Sequence, residues 1–196
     1  MGFNVAGLAI NKSFKDNFDE LQSELGWSLE KQGDIDFETA CSSFKDDGTC
    51  DVYFSENGTL LLLSFEDVLG SWKMKNANTL TFALSEVSMA FNLSYCENGV
   101  EVRSIMEAED ERFADSGEEL EIESQSEDTS EIIWNQMGVV LGKSFWEIEP
   151  DEKVERYAFV KAESKITVTE TTAEQKPNPQ PQISAAPTKR WWQFWK

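Results

Sequence analysis

Short runs of apolar or alternating residues recur along the chain and predict β-strands. They cover residues 3–10, 27–31, 52–55, 59–65, 79–84, 89–96, 100–106 and 154–160. Two successive pairs of runs are separated by the triplet Glu-Asn-Gly, at 56–58 and at 97–99. Because Asn-Gly adopts the positive φ values of a tight type I′ turn, both pairs are predicted to be hairpins. Hairpins in series indicate an antiparallel, meander-type sheet of about five to seven strands.

Helical spacing predicts two or three helices packed on this sheet, which makes the fold α+β. The first helix follows Ser13, a good N-cap, and ends at Gly26, and with its flanking strands it predicts a β-α-β opening. Its apolar face consists of Phe14, Phe18, Leu21 and Leu25. A short second helix is predicted within 35–44. The third begins after Asp128, because Glu131 three residues later favours a capped helix start, and Gly142 is predicted to lie near its C-terminus.

Composition divides the chain into three parts. Residues 1–169 contain the predicted strands and helices and form an acidic α+β domain. Residues 170–188 hold Pro177, Pro179, Pro181 and Pro187 but no aromatic residue, which is typical of a disordered, flexible linker. Residues 189–196, with the sequence KRWWQFWK, form a separate aromatic and basic motif.

Charge excludes one class of partner. The chain has 37 acidic and 17 basic residues and a formal net charge of −20, so it is not expected to bind the phosphates of nucleic acids. Half of the net charge lies in 107–128, where eleven residues are acidic and one is basic. Such a block repels itself, and it is predicted to be a solvated loop with a short edge strand at Leu120 and Ile122. The acidic surface predicted here consists of Glu107, Glu109, Asp110, Glu111, Glu118 and Glu119.

No motif in the chain predicts catalysis, a metal or a cofactor. There is no histidine, which removes the commonest general base and the commonest metal ligand. Residues 138–144 are one residue short of a phosphate-binding loop, and 34–45 lack the glycine and glutamate of a calcium loop. The three cysteines have no zinc-site spacing. Cys41 and Cys96 are predicted to pack as small apolar residues, and Cys50, beside two aspartates, to have a raised pKa.

The C-terminal motif is the strongest functional signal in the sequence. Its predicted partner-binding residues are Arg190, Trp191, Trp192, Phe194 and Trp195. On a helix these four aromatic side chains lie on one side, and left in water they would form a large apolar patch. A groove on a partner protein, the chain's own acidic domain and a membrane interface are the three candidate targets, in that order of preference.

The sequence therefore predicts a non-catalytic protein-protein interaction module, either an adaptor or an immunity- or inhibitor-type protein. At least one partner is expected to be a basic protein, because acidic charge accelerates association with such a partner. An enzyme that uses carboxylates in a cleft of the sheet, and a peripheral membrane protein held by its aromatic tail, are the alternatives. No secretory signal, myristoylation pattern or membrane-spanning run is visible, and unpaired cysteines favour the cytoplasm.

Overall fold

The computed structural model of the protein describes residues 2–42, 45, 48–68 and 70–160. The predicted linker 170–188 and motif 189–196, with the disorder expected of them, lie outside these residues. The strands are β1 (Asn4–Ile10), β2 (Leu29–Asp36), β3 (Thr49–Phe54), β4 (Thr59–Leu63), β5 (Thr79–Ser85), β6 (Ala90–Glu97), β7 (Val100–Ala108), β8 (Glu111–Gly117) and β9 (Lys153–Phe159). The helices are α1 (Phe18–Leu25), α2 (Phe37–Ala40) and α3 (Thr129–Leu141), and single 3₁₀ turns cover Glu121–Gln125 and Phe145–Glu147.

The fold is α+β, as predicted, but the sheet is larger than expected. Nine strands of the described ranges pair antiparallel in the order β2-β9-β3-β4-β1-β5-β6-β7-β8. The expected five to seven strands are too few. The eight runs that predict strands correspond to β1–β7 and β9, and β8 lies in the segment predicted to be a loop. The predicted β-α-β opening is confirmed in the element order β1-α1-β2, but its two strands are not neighbours. Strand β1 lies at the centre of the sheet, and β2 pairs with β9 at one end of it.

The sheet is covered on both faces near its centre. Every residue of β4 and of β5 is buried, which explains the continuous apolar run of four leucines in β4. In β5 the buried Thr79 and Thr81 hydroxyls are hydrogen-bonded to the backbone of Trp72. On one face α3 packs across β1, β5 and β6. On the other face Leu21 of α1 joins a second apolar cluster with Phe14, Val68 and Met74.

The first helix is shorter than predicted. Ser13 and Gly26, the residues predicted to mark its two ends, both have a structural role. The Ser13 hydroxyl donates to the Ser55 carbonyl oxygen at 3.0 Å, and the Phe14 N–H donates to the Thr59 hydroxyl at 3.0 Å. These bonds tie residues 13 and 14 to the sheet, so the helix begins only at Phe18. It ends at Gly26 in the left-handed conformation, φ 68°, as predicted.

The other two helices follow the sequence with different accuracy. The second occupies only Phe37–Ala40, because the Asp36 side chain caps it and the chain turns at Cys41. The third is confirmed at both ends. Asp128 accepts a hydrogen bond from the Glu131 N–H at 2.8 Å, and Gly142 ends the helix with φ 65°.

The two Glu-Asn-Gly triplets form different turns. Asn98 and Gly99 have φ values of 49° and 85°, which confirms the predicted type I′ geometry. The first hairpin, β3 with β4, is also present. However, Asn57 and Gly58 do not have positive φ, so the predicted type I′ turn is wrong there. Glycine is required at position 58 because the turn packs closely against the end of α3, where a Cβ would lie 2.8 Å from the Leu141 Cα.

Candidate functional site

The acidic segment is an ordered edge of the sheet rather than a loop. Strand β8 pairs with β7 from Arg103↔Gly117 to Ala108↔Glu111, and the 3₁₀ turn Glu121–Gln125 follows it. The loop prediction is wrong, and so is the edge strand at Leu120 and Ile122, which belong to the approach to this turn and to the turn itself. We call β8, the preceding turn and residues 118–128 the acidic edge.

A buried arginine explains why this edge is ordered. Arg103 on β7 is 3% exposed and lies on the same face of the strand as Ile105. Its Nε and Nη2 donate to the two carboxylate oxygens of Glu123 at 2.7 and 2.9 Å. Its Nη1 binds Asp115 and donates to the Ser116 carbonyl oxygen at 3.2 Å. One guanidinium thus holds β8 and the 3₁₀ turn together through charge-assisted bonds.

A second arginine connects the acidic edge to α3. Arg112 Nε donates to Glu107 Oε2 at 3.0 Å, and its Nη1 donates to Asp115 Oδ2 at 2.7 Å. The Thr129 hydroxyl in the first turn of α3 donates to the same Glu107 oxygen at 2.7 Å. Glu107 is therefore half-buried and structurally engaged. The other five residues of the predicted acidic surface, Glu109, Asp110, Glu111, Glu118 and Glu119, are all exposed.

Most of the carboxylates at the acidic edge therefore point into solvent without an arginine. Among the described residues only Glu107, Asp115 and Glu123 of the eleven acids in 107–128 pair with one. Strand β8 is also the last strand of the sheet, so no described strand pairs with its outer side. Two copies of this edge would repel each other, whereas a cationic chain would be attracted to it.

The arginine contacts predict how stability depends on pH. The hydrogen bond from Arg103 holds the pKa of Asp115 below its ordinary value of 3.8, and Arg112 adds to this. Burial alone would raise the pKa of Glu123, but its bonds from Arg103 and the Leu120 N–H lower it below the ordinary value of 4.5. Both pKa values are lower in the folded state, so each ionised carboxylate stabilises the fold. The stabilisation by Glu123 is complete above its ordinary pKa of 4.5 and that by Asp115 above 3.8. Each is lost as the pH falls from that value through the lower pKa of the folded state.

We therefore expect the urea midpoint of the protein to fall on acidification below pH 4.5. Arg103→Leu removes the largest of the interactions that lower these two pKa values, so its midpoint should fall less over the same interval. The measurement is urea unfolding at a series of pH values for both proteins. Parallel pH profiles would show that Arg103 does not hold these carboxylates in the ionised state.

An aromatic groove lies elsewhere, between the residues that precede β1, helix α2 and the 3₁₀ turn Phe145–Glu147. It has a volume of about 570 Å³, and the aromatic rings in its lining are Phe3, Phe37, Phe145 and Trp146. Phe3 contacts Phe145 and Trp146 edge-on, with ring centroids 5.9 and 5.5 Å apart. Glu38 and Glu149 also line the groove, and no lysine or arginine among the described residues does. We call this feature the aromatic groove.

Sequence reasoning missed both the aromatic groove and the role of Arg103. The groove rings come from positions 3, 37, 145 and 146, and no local pattern connects these positions. For Arg103 a signal existed, because it shares the two-residue period of Ile105 on a predicted strand and so belongs on the buried face. The acidic composition of 107–128 favoured a loop instead, so no buried partner for these carboxylates was predicted.

A polar pocket of about 370 Å³ brings together Tyr53, Lys143 and Glu152 beside the turn after β3. The Tyr53 hydroxyl donates to Glu152 Oε2 at 2.7 Å, and Lys143 Nζ donates to Glu152 Oε1 at 2.5 Å. The Glu152 bond raises the pKa of Lys143. Burial and Glu152 raise that of Tyr53. Burial alone would raise the pKa of Glu152, but the bonds from Lys143, the Glu149 N–H and Tyr53 together lower it. All three shifts move away from neutrality, opposite to those of a catalytic acid or base.

The cysteines behave as the sequence predicts. All three are free thiols, and Cys50 and Cys96 are fully buried. Burial, and next the neighbouring Asp51 carboxylate, raise the pKa of Cys50, so the predicted direction is confirmed. Burial also raises the pKa of Cys41 to about 12. Cys41 packs against the core while it lines one side of the aromatic groove.

Comparison with known proteins gives no family. No protein-family model matches the chain, and neither the curated proteins nor the solved structures contain a match. Within the described ranges no three acidic or cysteine side chains are grouped so that they could hold a metal ion. No helix of the described part is both long and apolar enough to span a bilayer. The predicted partner-binding residues 190–195 lie outside the described part.

Proposed function

We propose that the chain is a non-catalytic protein-binding module, of the adaptor or the immunity- or inhibitor type, that receives a basic protein at its acidic edge. The observation that carries the proposal is the ordering of this edge by Arg103. A strand-paired edge holds its exposed carboxylates in fixed positions. A partner can therefore match them with its own lysines and arginines without first ordering a loop.

The charge of the edge favours fast and selective association. Its field extends over roughly a Debye length, about 8 Å at physiological salt, and attracts cationic surfaces. The same field discourages self-association of the exposed strand β8. A basic partner is therefore the class of molecule that gains most from this surface, and nucleic acids gain least.

The C-terminal motif is proposed as the second contact of the module. Arg190 and the four aromatic residues after it would anchor in a site of limited area, as tryptophan and arginine often do in interfaces. The linker would let this short motif search for its site while the acidic edge holds the partner. A membrane interface is the weaker target, because anionic lipids would repel the acidic domain.

The test compares three baits in native cell extract. The first is the full chain, and the second carries Glu111→Lys, Glu118→Lys and Glu119→Lys at the acidic edge. The third, a matched control, carries Asp16→Lys, Glu24→Lys and Glu30→Lys, which are exposed acids of the α1–β2 region and give the same change in net charge. We expect a basic protein that the full chain and the control retain and the edge variant loses by at least about tenfold, or 1.4 kcal/mol.

Equal recovery by the edge variant and the control would contradict the proposal, because the effect would then follow net charge alone. A fourth bait, the full chain with Trp191, Trp192, Phe194 and Trp195 replaced by alanine, tests the second contact. If it recovers the same proteins as the full chain at the same yield, the C-terminal motif is not a recognition element for them.

A further inference from the structure

We infer that the aromatic groove is the resting site of the chain's own C-terminal motif, residues 189–196. The proposed function does not assign an occupant to this groove. Phe37 and Phe145 are buried, but Phe3 is partly exposed and Trp146 at the edge of the groove is 59% exposed. Exposed apolar surface of this kind marks a binding site for an apolar ligand.

The shape and chemistry of the groove fit an aromatic peptide. Its volume of about 570 Å³ lies within the roughly 300–1,000 Å³ typical of ligand sites. The rings of Phe3, Phe145 and Trp146 already meet edge-on, and a further indole can add to such a cluster in the same geometry. The groove therefore offers ring contacts to an incoming tryptophan rather than plain aliphatic area.

The charges of the two parts are complementary. The groove carries the carboxylates of Glu38 and Glu149 in its lining, both exposed, and no basic side chain from the part of the chain that the structure describes. The motif carries Lys189, Arg190 and Lys196 around its four aromatic residues and no acid. Residues 1–169 have 35 acids and 13 bases, so the surroundings of the groove also attract a cationic peptide.

The chain is long enough to close this contact within one molecule. Pro150 lines the groove, and the described chain ends ten residues later at Val160, so these two points are at most about 34 Å apart at roughly 3.4 Å per residue. Residues 161–188 give a connection of 28 residues, with a coil span of about 30 Å. At such a span a tethered motif reaches an effective concentration of the order of millimolar.

That concentration distinguishes the chain's own motif from other occupants. A free peptide or the motif of a second copy must compete at its bulk concentration, which is far lower in dilute solution. The tethered motif therefore occupies the groove in the isolated chain. A partner that binds the motif more tightly would release it.

Cys41 provides a built-in probe of occupancy. It is the cysteine that lines the aromatic groove, while Cys50 and Cys96 are buried in the core. We propose to label the full chain with a maleimide at mildly alkaline pH and to follow modification of Cys41 by peptide mass spectrometry. The test variant, called the motif variant, has alanine in place of Trp191, Trp192, Phe194 and Trp195. The matched linker control has alanine in place of Pro179, Pro181, Ile183 and Pro187.

We expect Cys41 to be labelled at least about tenfold faster in the motif variant than in the full chain, the equivalent of 1.4 kcal/mol of occupancy. The linker control should be labelled at the rate of the full chain. Protection should be the same from low to high micromolar protein. Equal rates in the full chain and the motif variant would overturn the inference. Protection that grows with protein concentration would also overturn it, in favour of exchange between copies.

A second measurement separates occupancy from a change in the thiol itself. The double substitution Glu38→Lys and Glu149→Lys replaces the two carboxylates of the aromatic groove, which we call its acidic rim. In the full chain it should weaken docking of the C-terminal motif in the groove and speed the labelling of Cys41. In the motif variant the same pair of substitutions should have no such additional effect, apart from the direct influence of the new lysines on the thiol. Equal effects in both backgrounds would show that the rim and the motif do not meet.

Failure of this inference differs visibly from failure of the proposed function. The labelling experiment depends on the groove and the motif alone. Capture of a basic partner depends on Glu111, Glu118 and Glu119 at the acidic edge. Either result can therefore be negative while the other is positive.

Discussion

Replacement of Gly7 by alanine is expected to reduce the free energy of unfolding by at least about 3 kcal/mol, the upper end of the usual cost of overpacking. Gly7 lies on β1, which pairs with β4 on one side and β5 on the other. A Cβ at this position would lie 2.0 Å from the Leu61 carbonyl oxygen, a backbone atom. Relief would require β1 and β4 to separate at the centre of the sheet. Urea unfolding followed by tryptophan fluorescence measures the effect.

Gly33→Ala is the matched control, because Gly33 also lies within a strand but no atom lies within 4 Å of the position that an alanine Cβ would take. Its φ is not positive, so alanine should be neutral or stabilise by up to about 1 kcal/mol. If the Gly7 variant unfolds like wild type, the close approach of β1 and β4 is wrong.

Arg103→Leu is expected to cost about 3 kcal/mol at neutral pH, the lower end of the range for removing one member of a buried ion pair. The lower end applies because the Asp115 side chain is 44% exposed and can be rehydrated, while that of Glu123 is 11% exposed. We also expect faster hydrogen exchange throughout β8 and the following 3₁₀ turn, since both depend on this guanidinium.

Arg112→Leu serves as the comparison for this prediction. The Arg112 side chain is 40% exposed and shares the carboxylate of Asp115, so its loss should cost less than about 1 kcal/mol. Equal destabilisation by the two substitutions would mean that burial of Arg103 does not set the strength of its contacts.

Local signals predicted the parts of the fold that depend on local physics. The glycines at 26 and 142 end their helices with left-handed backbone, and Asp128 caps α3, because these effects involve only neighbouring residues. Asn98-Gly99 forms its predicted turn for the same reason. The order of the strands could not be predicted, since β9 enters between β2 and β3 from a distant part of the chain.

The candidate site was predicted only in its chemistry. Five of the six residues of the predicted acidic surface, all except Glu107, are exposed. The sequence predicted a loop, because eleven like charges in 107–128 repel each other when no partner is considered. The buried guanidinium of Arg103 offsets that repulsion, and its reach to Glu123 spans twenty residues. The aromatic groove likewise depends on contacts between Phe3 and Phe145 that only the folded chain creates.

The most direct test of the central claim is the rate at which the captured basic partner associates with the chain as salt is varied. Stopped-flow fluorescence would compare the full chain, the variant with lysine at 111, 118 and 119, and the control with lysine at 16, 24 and 30. We predict that association with the full chain and the control falls by at least about tenfold as salt screens the acidic edge, whereas the edge variant associates slowly at every salt concentration. The same salt dependence in all three proteins would contradict the claim that the acidic edge is the binding surface.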